Sequence, residues 1–291
     1  SYSLNALSDV ILDFIDIYLR PELNQSKYYN NGHEELINRR SELSKKLSEI
    51  CEETYKDYPI INNEILNKNT LSSQAINSRS KVIAGILENH IKENLGLIAT
   101  GQDVSFMRST IKKEGILVEK AGQYYINTEN LKNKKLQNVL NLIKKFIVNS
   151  SEKQLSFKEL YNILTKPANH IGMKMGLIPI YIACVLHHYK KYAVILKNGK
   201  EVEINAKLLD SINEEPYNYN IALEEWDVQK EKYIEDLKNT FSEYVHEEEF
   251  EYNNFEFIVR AMQRWFFQLP KYTKEITTEY VNKNKFNALD K

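Results

Sequence analysis

The chain has 291 residues, of which 42% are hydrophobic and 27% are charged, and its formal net charge at pH 7 is −1. These values are typical of a folded protein with room for more than one core, and they exclude an intrinsically disordered chain. No apolar run reaches the roughly 20 residues that a bilayer-spanning helix needs, so we predict no membrane segment and no membrane partner.

Charge is distributed unevenly along the chain. Residues 1–65 carry 7 Lys or Arg and 12 Asp or Glu, residues 66–210 carry 22 and 11, and residues 211–291 carry 10 and 17. A basic middle, with a net charge of +11, therefore lies between two acidic ends. We expect any nucleic-acid surface in this middle segment, because binding to phosphates depends on Lys and Arg.

The start of the chain and its cysteines bear on its cellular setting. Residues 1–5 lack the basic start and apolar stretch of a signal peptide. The two cysteines, Cys51 and Cys184, lie far apart on predicted helices, which argues against a disulfide framework. We therefore expect a cytoplasmic protein. Because the chain does not begin with Met, we also expect a piece of a longer protein.

The N-terminal region, residues 1–68, is predicted to be helical. Apolar residues at helical spacing predict helices over residues 4–19 and 33–56, which we expect to pack on each other. The polar side of the first helix carries three carboxylates: Asp9, Asp13 and Asp16. Such a row can hold a divalent metal, but it is also typical of a solvated face, and we favour the solvated face.

The second region, residues 69–130, is predicted to be the first of two similar units, in each of which helices precede a short hairpin. A helix over residues 73–94 is followed by a short helix that Asp103 can cap. Two short apolar strands then flank residues 119–123, where Gly122 can supply a positive φ. Helices that end in a hairpin indicate a winged-helix-like unit.

The short helix stands where a winged helix carries its recognition helix. Binding to DNA in the major groove needs cations for the phosphates and short polar side chains for the base edges. The candidates are Arg108, Ser109, Lys112 and Lys113 on the helix, and Lys120 and Gln123 on the wing. Helical spacing places Arg108 and Lys112 on one face. A solvated basic face is the alternative that this pattern leaves open.

The third region, residues 131–212, is predicted to be a second winged-helix-like unit. Its hairpin turns at Asn198-Gly199, the dipeptide that a type I′ turn favours. The helix over residues 177–189 is apolar nearly all round, so we expect it to be buried. The second unit is therefore expected to have mainly a structural role and not to recognise DNA through this helix. Its possible nucleic-acid contacts lie at the edges, at Lys174, Lys197 and Lys200.

The adjacent pair His187-His188 raises the question of a metal site or a general base. Neighbouring residues on a helix point about 100° apart, so the two rings are not expected to share one ligand. No second cluster of Cys or His has the spacing of a zinc site. We predict that one ring is packed and the other is solvated.

The C-terminal region, residues 213–291, is acidic and is predicted to form helices over residues 222–246 and 255–269. The chain contains no P-loop, dinucleotide-binding, nucleophile-elbow, H-E-x-x-H or C-x-x-C motif. We therefore predict a non-enzymatic chain with no cofactor and no metal. A nuclease would need clustered carboxylates, which the three N-terminal aspartates supply poorly.

Several stretches together resemble a module of a known protein family. They are residues 172–183 (GMKMGLIPIYIA), 194–196 (VIL), 215–217 (EPY) and 264–273 (RWFFQLPKYT). This pattern is similar to the segment downstream of the nucleotide-binding core in large P-loop ATPases of prokaryotic phage-defence systems, such as the bacteriophage-exclusion ATPases. The likeness covers roughly residues 155–275. It implies a piece of a larger ATPase that works on or near DNA, although the family's ATP-binding residues have no counterpart here.

Taken together, these observations predict a mainly α fold, helical with two small β-hairpins and winged-helix-like units in the centre. The leading functional hypothesis is binding of duplex DNA without strong sequence preference. The alternative is an assembly module that docks onto other subunits of a defence complex, for which Trp226, Tyr244 and Trp265 are candidate anchors.

Overall fold

The computed structural model describes residues 27–98, 100–224, 228–246, 256–275, 278–281 and 284–287. Its helices are α1 (Arg40–Thr54), α2 (Ser73–Leu87), α3 (Gln102–Met107), α4 (Lys134–Asn149), α5 (Phe157–Thr165), α6 (Ile178–Tyr189), α7 (Ala206–Glu214), α8 (Val228–Thr240), α9 (Glu256–Gln268) and α10 (Lys271–Glu275). Its strands are β1 (Tyr28–Asn30), β2 (His33–Glu35), β3 (Leu117–Lys120), β4 (Gln123–Ile126), β5 (Leu155–Ser156), β6 (Ala193–Lys197), β7 (Lys200–Val202), β8 (Tyr219–Leu223), β9 (Thr278–Val281) and β10 (Asn284–Asn287). The predicted mainly helical class is confirmed, and none of these helices is long and apolar enough to cross a bilayer.

Both predicted hairpins are present. Strands β3 and β4 pair across Ala121 and Gly122, and β6 and β7 pair across Asn198 and Gly199; all four turn residues have positive φ. The two turns therefore have the type I′ character that matches strand twist. The first turn is shorter than the five-residue loop expected between its strands, because Glu119, Lys120 and Gln123 belong to the strands.

The second hairpin is part of a larger sheet. The strand order is β5-β8-β6-β7, with every pair antiparallel, so β8 lies between β5 and β6. The prediction of one helix over residues 222–246 was wrong at its start, because residues 219–223 form this inner strand. Tyr219 and Ile221 are buried and alternate with less buried neighbours, which is the period of a strand. The helix begins only at Val228.

The N-terminal helix prediction over residues 33–56 was also too long. Residues 33–35 form β2, which pairs with β1 across Asn31 and Gly32, and α1 begins at Arg40. Both turn residues have positive φ, as at the other two hairpins. The helical spacing predicted for residues 4–19, with its three aspartates, lies outside the described residues.

One continuous apolar core joins the two central units. It extends from Ile61 to Ile221 and includes buried side chains of α2 to α7. Helix α6 lies at its centre, and every residue from Ile178 to Leu186 is buried, as its apolar sequence predicted. A separate small cluster forms around Ile234 of α8 and Ile258 of α9.

A buried ion pair joins α2 to α7. The Arg79 guanidinium donates to Oδ1 of Asp210 through Nε at 3.1 Å and Nη2 at 2.7 Å. Its Nη1 also donates to the carbonyl of Gly176 at 3.2 Å, and the Ser80 hydroxyl donates to Oδ2 of Asp210. Arg79 is 2% exposed, so this pair satisfies a cation that burial would otherwise penalise heavily.

The loop over residues 172–176 receives contacts from three directions. Its Gly176 amide donates to the carbonyl of Lys68 at 3.0 Å, and a Cβ at Gly176 would collide with the carbonyl of Leu66. Gly172 has φ +62° and packs directly against the Tyr55 ring. Because Arg79 reaches the same loop, residues 55–68, α2 and the second unit all meet there.

The Arg79–Asp210 pair is expected to dominate the polar contribution to stability. Asp210→Ala leaves a buried guanidinium without its carboxylate, and we expect a loss of about 3–5 kcal/mol in the free energy of unfolding. Lys81→Ala on the same helix is the control. It breaks a pair in which the lysine is exposed, with Asp103 at 3.5 Å, and should cost about 1 kcal/mol or less. Urea denaturation measures both.

The double variant Arg79→Met, Asp210→Leu gives the complementary test. Because this variant removes both charges, its loss in the free energy of unfolding should be well below the sum of the losses in Arg79→Met and in Asp210→Leu alone. Additive losses would contradict the account of the pair as one coupled unit.

Candidate nucleic-acid interface

The helix that precedes the first hairpin changes its geometry partway along. Helix α3 ends at Met107 and continues as a π-helical turn over Arg108–Lys112. Within it, the Lys113 amide donates to the carbonyl of Arg108 at 2.9 Å, an i→i+5 bond. Because a π-helical turn is wider than an α-helical turn, residues i and i+5 lie closer to the same side of the helix. Lys113 therefore comes round towards Arg108, which an α-helical spacing does not predict.

Arg108, Ser109 and Lys113 meet at one open groove. Its volume is about 460 Å³, and its remaining lining residues are Asn62, Thr100, Gly101, Val104 and Ser105. Arg108 and Lys113 are exposed, whereas Phe106, Met107, Thr110 and Ile111 on the other side of the same helical stretch are buried. The stretch is thus anchored by its apolar side and presents its cations at the groove.

Lys112 and Ser109, which were also predicted as DNA contacts on this helix, have hydrogen-bond partners inside the protein. Lys112 does not line the groove; its ammonium donates to Oδ1 of Asn94 at 3.0 Å. The Ser109 hydroxyl accepts from Nδ2 of Asn63 at 2.9 Å and lies 2.9 Å from the carbonyl of Ser105, to which it can donate. Ser109 therefore connects the π turn to the segment around Asn63.

The wing residues lie at the tip of the first hairpin. Lys120 and Gln123 are directly opposite each other next to the turn, and both are exposed. The Gln123 carbonyl oxygen accepts from the Tyr125 hydroxyl at 2.5 Å. Neither residue lines the groove.

The three candidates in the second unit lie on other elements. Lys174 is exposed in the loop that contacts α2, and Lys197 and Lys200 are opposite each other at the tip of the second hairpin. The Lys197 ammonium lies 5.2 Å from the centre of the Tyr219 ring, and its contact with Tyr219 raises the pKa of Lys197. These lysines do not line the groove.

Sequence reasoning missed how α6 closes the end of α2. Nδ1 of His187 donates to the carbonyl of Ile86 at 2.7 Å, and the Lys190 ammonium donates to the carbonyl of Leu87. The last four carbonyls of a helix have no partner within it, and these two side chains satisfy two of them at the end of α2. Burial lowers the pKa of both groups, that of His187 to about 4. His187 is therefore neutral at pH 7 and acts as a hydrogen-bond donor.

The neighbouring His188 does not form a metal site with His187. The two rings are in edge contact, with centroids 5.3 Å apart, and burial lowers the pKa of His188 as well. His187 is half-buried; His188 is more exposed overall, but its ring is still partly desolvated. Among the residues that the structure describes, no group of three or more His, Cys, Asp or Glu could hold a metal ion.

Comparisons with known proteins identify no relative: no protein-family model, no curated protein and no solved structure matches the chain. The interpretation of the groove therefore depends on its own geometry. The resemblance to phage-defence ATPases stays a prediction.

The neutral state of His187 predicts a dependence of stability on pH. Its pKa is about 4 in the folded protein and about 6.5 in an unfolded chain, so between these values only the unfolded chain binds the proton. The free energy of unfolding should fall as the pH decreases through 6.5 and stop falling, for this group, below about 4. Because the ring is only half-buried, we expect a loss on the order of 1–2 kcal/mol.

Urea denaturation at pH 7 and pH 5 checks this expectation. His187→Gln keeps a donor for the Ile86 carbonyl but does not titrate, so it should lose less stability between the two pH values than the original chain. His33→Gln, at an exposed position of β2, is the control and should behave like the original chain. Equal losses in all three proteins would contradict the prediction.

Proposed function

We propose that this chain binds duplex DNA, with little sequence preference, through the groove beside α3. The observation that carries the proposal is the convergence of Arg108 and Lys113 on one open groove, in the basic third of the sequence. Cations presented on a surface bind the phosphates of DNA and release counterions, and this term supplies essentially all of non-specific affinity.

The weak sequence preference follows from the state of the polar side chains. Sequence is discriminated by donors and acceptors that reach base edges, whereas phosphate contacts position the protein. Ser109 and Gln123, the short polar candidates, already have hydrogen-bond partners within the protein. The exposed cations Arg108, Lys113 and Lys120 remain for phosphate contacts.

The proposed architecture is winged-helix-like, with different roles for the two central units. In the first unit, α3 and its π turn precede the β3–β4 hairpin and present exposed cations. In the second unit, the equivalent helix α6 is buried, which supports a scaffold role. Lys174, Lys197 and Lys200 are proposed as secondary contacts to the flanking DNA.

The proposal extends to the parent protein. On the resemblance in sequence, we infer that the chain is a non-catalytic piece of a larger prokaryotic defence-type ATPase, in the cytoplasm. Within that assembly it would hold DNA while another segment hydrolyses ATP. No ATP-binding residue is assigned to this chain.

Mobility-shift titration of a short duplex at several salt concentrations tests the proposal. We expect a salt-sensitive shift whose log–log slope grows by about 0.9 for each phosphate contacted. The variant Arg108→Glu, Lys113→Glu should abolish the shift at moderate salt. Lys135→Glu, Lys145→Glu makes the same change in net charge on the exposed side of α4 and should weaken binding only slightly. No shift by the original chain at low salt would remove the proposal.

A second candidate function, assembly with another subunit of a defence complex, is favoured by α9. This helix exposes large apolar side chains, namely Val259, Met262, Phe266 and Phe267. Trp265 and Tyr244, proposed as anchors, belong to the same part of the chain: the Trp265 ring is 5.6 Å from that of Phe241, and the carbonyl of Tyr244 accepts from Arg264 at 2.6 Å. Trp226 lies outside the described residues. Clustered exposed apolar side chains of this kind mark protein contacts.

Sedimentation velocity tests whether α9 mediates self-association, which is the assembly that the chain alone can report. Met262→Glu, Phe266→Glu should decrease any concentration-dependent rise in sedimentation coefficient and leave the DNA shift unchanged. Lys135→Glu, Lys145→Glu serves again as the charge-matched control. If the original chain stays monomeric and the α9 variant sediments identically, self-association through this face is excluded.

A further inference from the structure

In the part of the chain that the structure describes, the two cations of the groove, Arg108 and Lys113, are unpartnered, whereas several other cations of the central region are engaged within the protein. Lys81 pairs with Asp103 at 3.5 Å, Lys112 donates to Asn94 at 3.0 Å, and Lys144 pairs with Glu129 at 2.9 Å. Within the described ranges, no hydrogen bond or ion pair engages the side chains of Arg108 and Lys113. Two positive charges therefore share one concavity without a neutralising group.

The rest of the groove wall is neutral and can donate hydrogen bonds. Asn62, Thr100 and Ser105 are exposed, and each has a side-chain amide or hydroxyl. No carboxylate lines the groove. The Asp103 carboxylate lies beside Gly101, but it accepts from the Val104 amide at 2.8 Å and pairs with Lys81. The wall is thus suited to an anion.

The wall is also held in place by the fold. Asn63 donates to the Ser109 hydroxyl at 2.9 Å and accepts from the Leu66 amide at 3.0 Å, so the segment bearing Asn62 is fastened to the π turn that bears Arg108. The Thr110 hydroxyl, which is buried, donates to the carbonyl of Phe106 at 2.7 Å. A wall that is ordered before binding lowers the entropic cost of binding.

We propose that this groove is a seat for a single phosphate group. The guanidinium of Arg108 can bind two phosphate oxygens through its planar fork of N–H donors. The Lys113 ammonium adds a second positive charge, and Asn62, Thr100 and Ser105 offer donors for the remaining oxygens. The π turn is what makes the pair, because it turns Lys113 towards the side of Arg108.

This inference deepens the proposed function and rests on it for the source of the phosphate, which is the DNA backbone. A free phosphate or a small phosphorylated molecule has the same chemistry. A single seat also has a consequence that two separate contacts would not have. The variant Arg108→Gln, Lys113→Gln should lower the log–log salt slope of DNA binding by about 0.9, for one phosphate, and not by about 1.8, and each single variant should lower it by no more than the double variant does.

The direct test is a titration with inorganic phosphate, followed by ¹H–¹⁵N NMR of the full chain at constant ionic strength. We expect saturable shifts of the amides of Gly101, Ser105 and Ser109. These shifts should persist in Lys112→Gln, the adjacent cation that points elsewhere, and disappear in Arg108→Gln, Lys113→Gln. All substituted residues are exposed, so circular dichroism should report an unchanged fold. No saturable shift at these amides, or equal shifts in the double variant, would overturn the seat.

Two further experiments with DNA distinguish the source of the phosphate, and they separate the DNA-binding proposal from the phosphate-seat proposal. A single strand with a 5′-phosphate, compared with the same strand ending in a 5′-hydroxyl, reports whether a terminal monoester is preferred over a backbone diester. If phosphate binds at the groove but duplex DNA does not shift, the DNA proposal fails and the seat stands for a free phosphoryl ligand. If DNA shifts equally with and without Arg108 and Lys113, another face binds DNA and the groove is not the DNA site; the phosphate titration then decides whether the seat exists.

Discussion

The ion pair between Arg79 and Asp210 is the contact on which the arrangement of the two central units depends. Its two partners lie 131 positions apart, on α2 and α7, and the same guanidinium holds the loop at Gly176. A buried charge without its partner costs several kcal/mol, so arrangements that separate these helices are strongly disfavoured. The apolar core supplies most of the energy of folding, while the pair selects how α2 and α7 are oriented.

The orientation of α2 also determines the position of the groove. Helix α3 packs on α2, and the groove wall opposite Arg108 comes from the segment that leads from α1 into α2. Glycine at position 85 allows part of this approach, because a Cβ there would lie 2.7 Å from the Cβ of Leu95. The surface cations thus owe their placement to helices that carry no functional side chain themselves. A rigid interior and an adaptable exterior are the usual division of labour for a binding protein.

The sequence was informative where structure is local. Asn198-Gly199 marked a hairpin, the all-apolar stretch of α6 marked a buried helix, and Arg108 was assigned to an exposed face. The sequence was uninformative where the local structure depends on residues that are far away along the chain. Residues 219–223 became a strand because β5 and β6 flank them, and Arg79 is buried because Asp210 is there. The π turn has no sequence signature, so the approach of Lys113 to Arg108 could not be predicted, and Asn62 and Thr100 lie on segments without periodicity.

The end of α2 is capped from another part of the chain: His187 of α6, and Lys190 directly after α6, donate to the carbonyls of Ile86 and Leu87. The docked α6 consequently stabilises the last turn of α2, and α6 in turn, buried from Ile178 to Leu186, needs α2 among the helices that cover it. Each unit thus lacks something that only the other provides. The two should unfold together as one cooperative block, so that the slowest-exchanging amides of α2 and α6 share one free energy of opening.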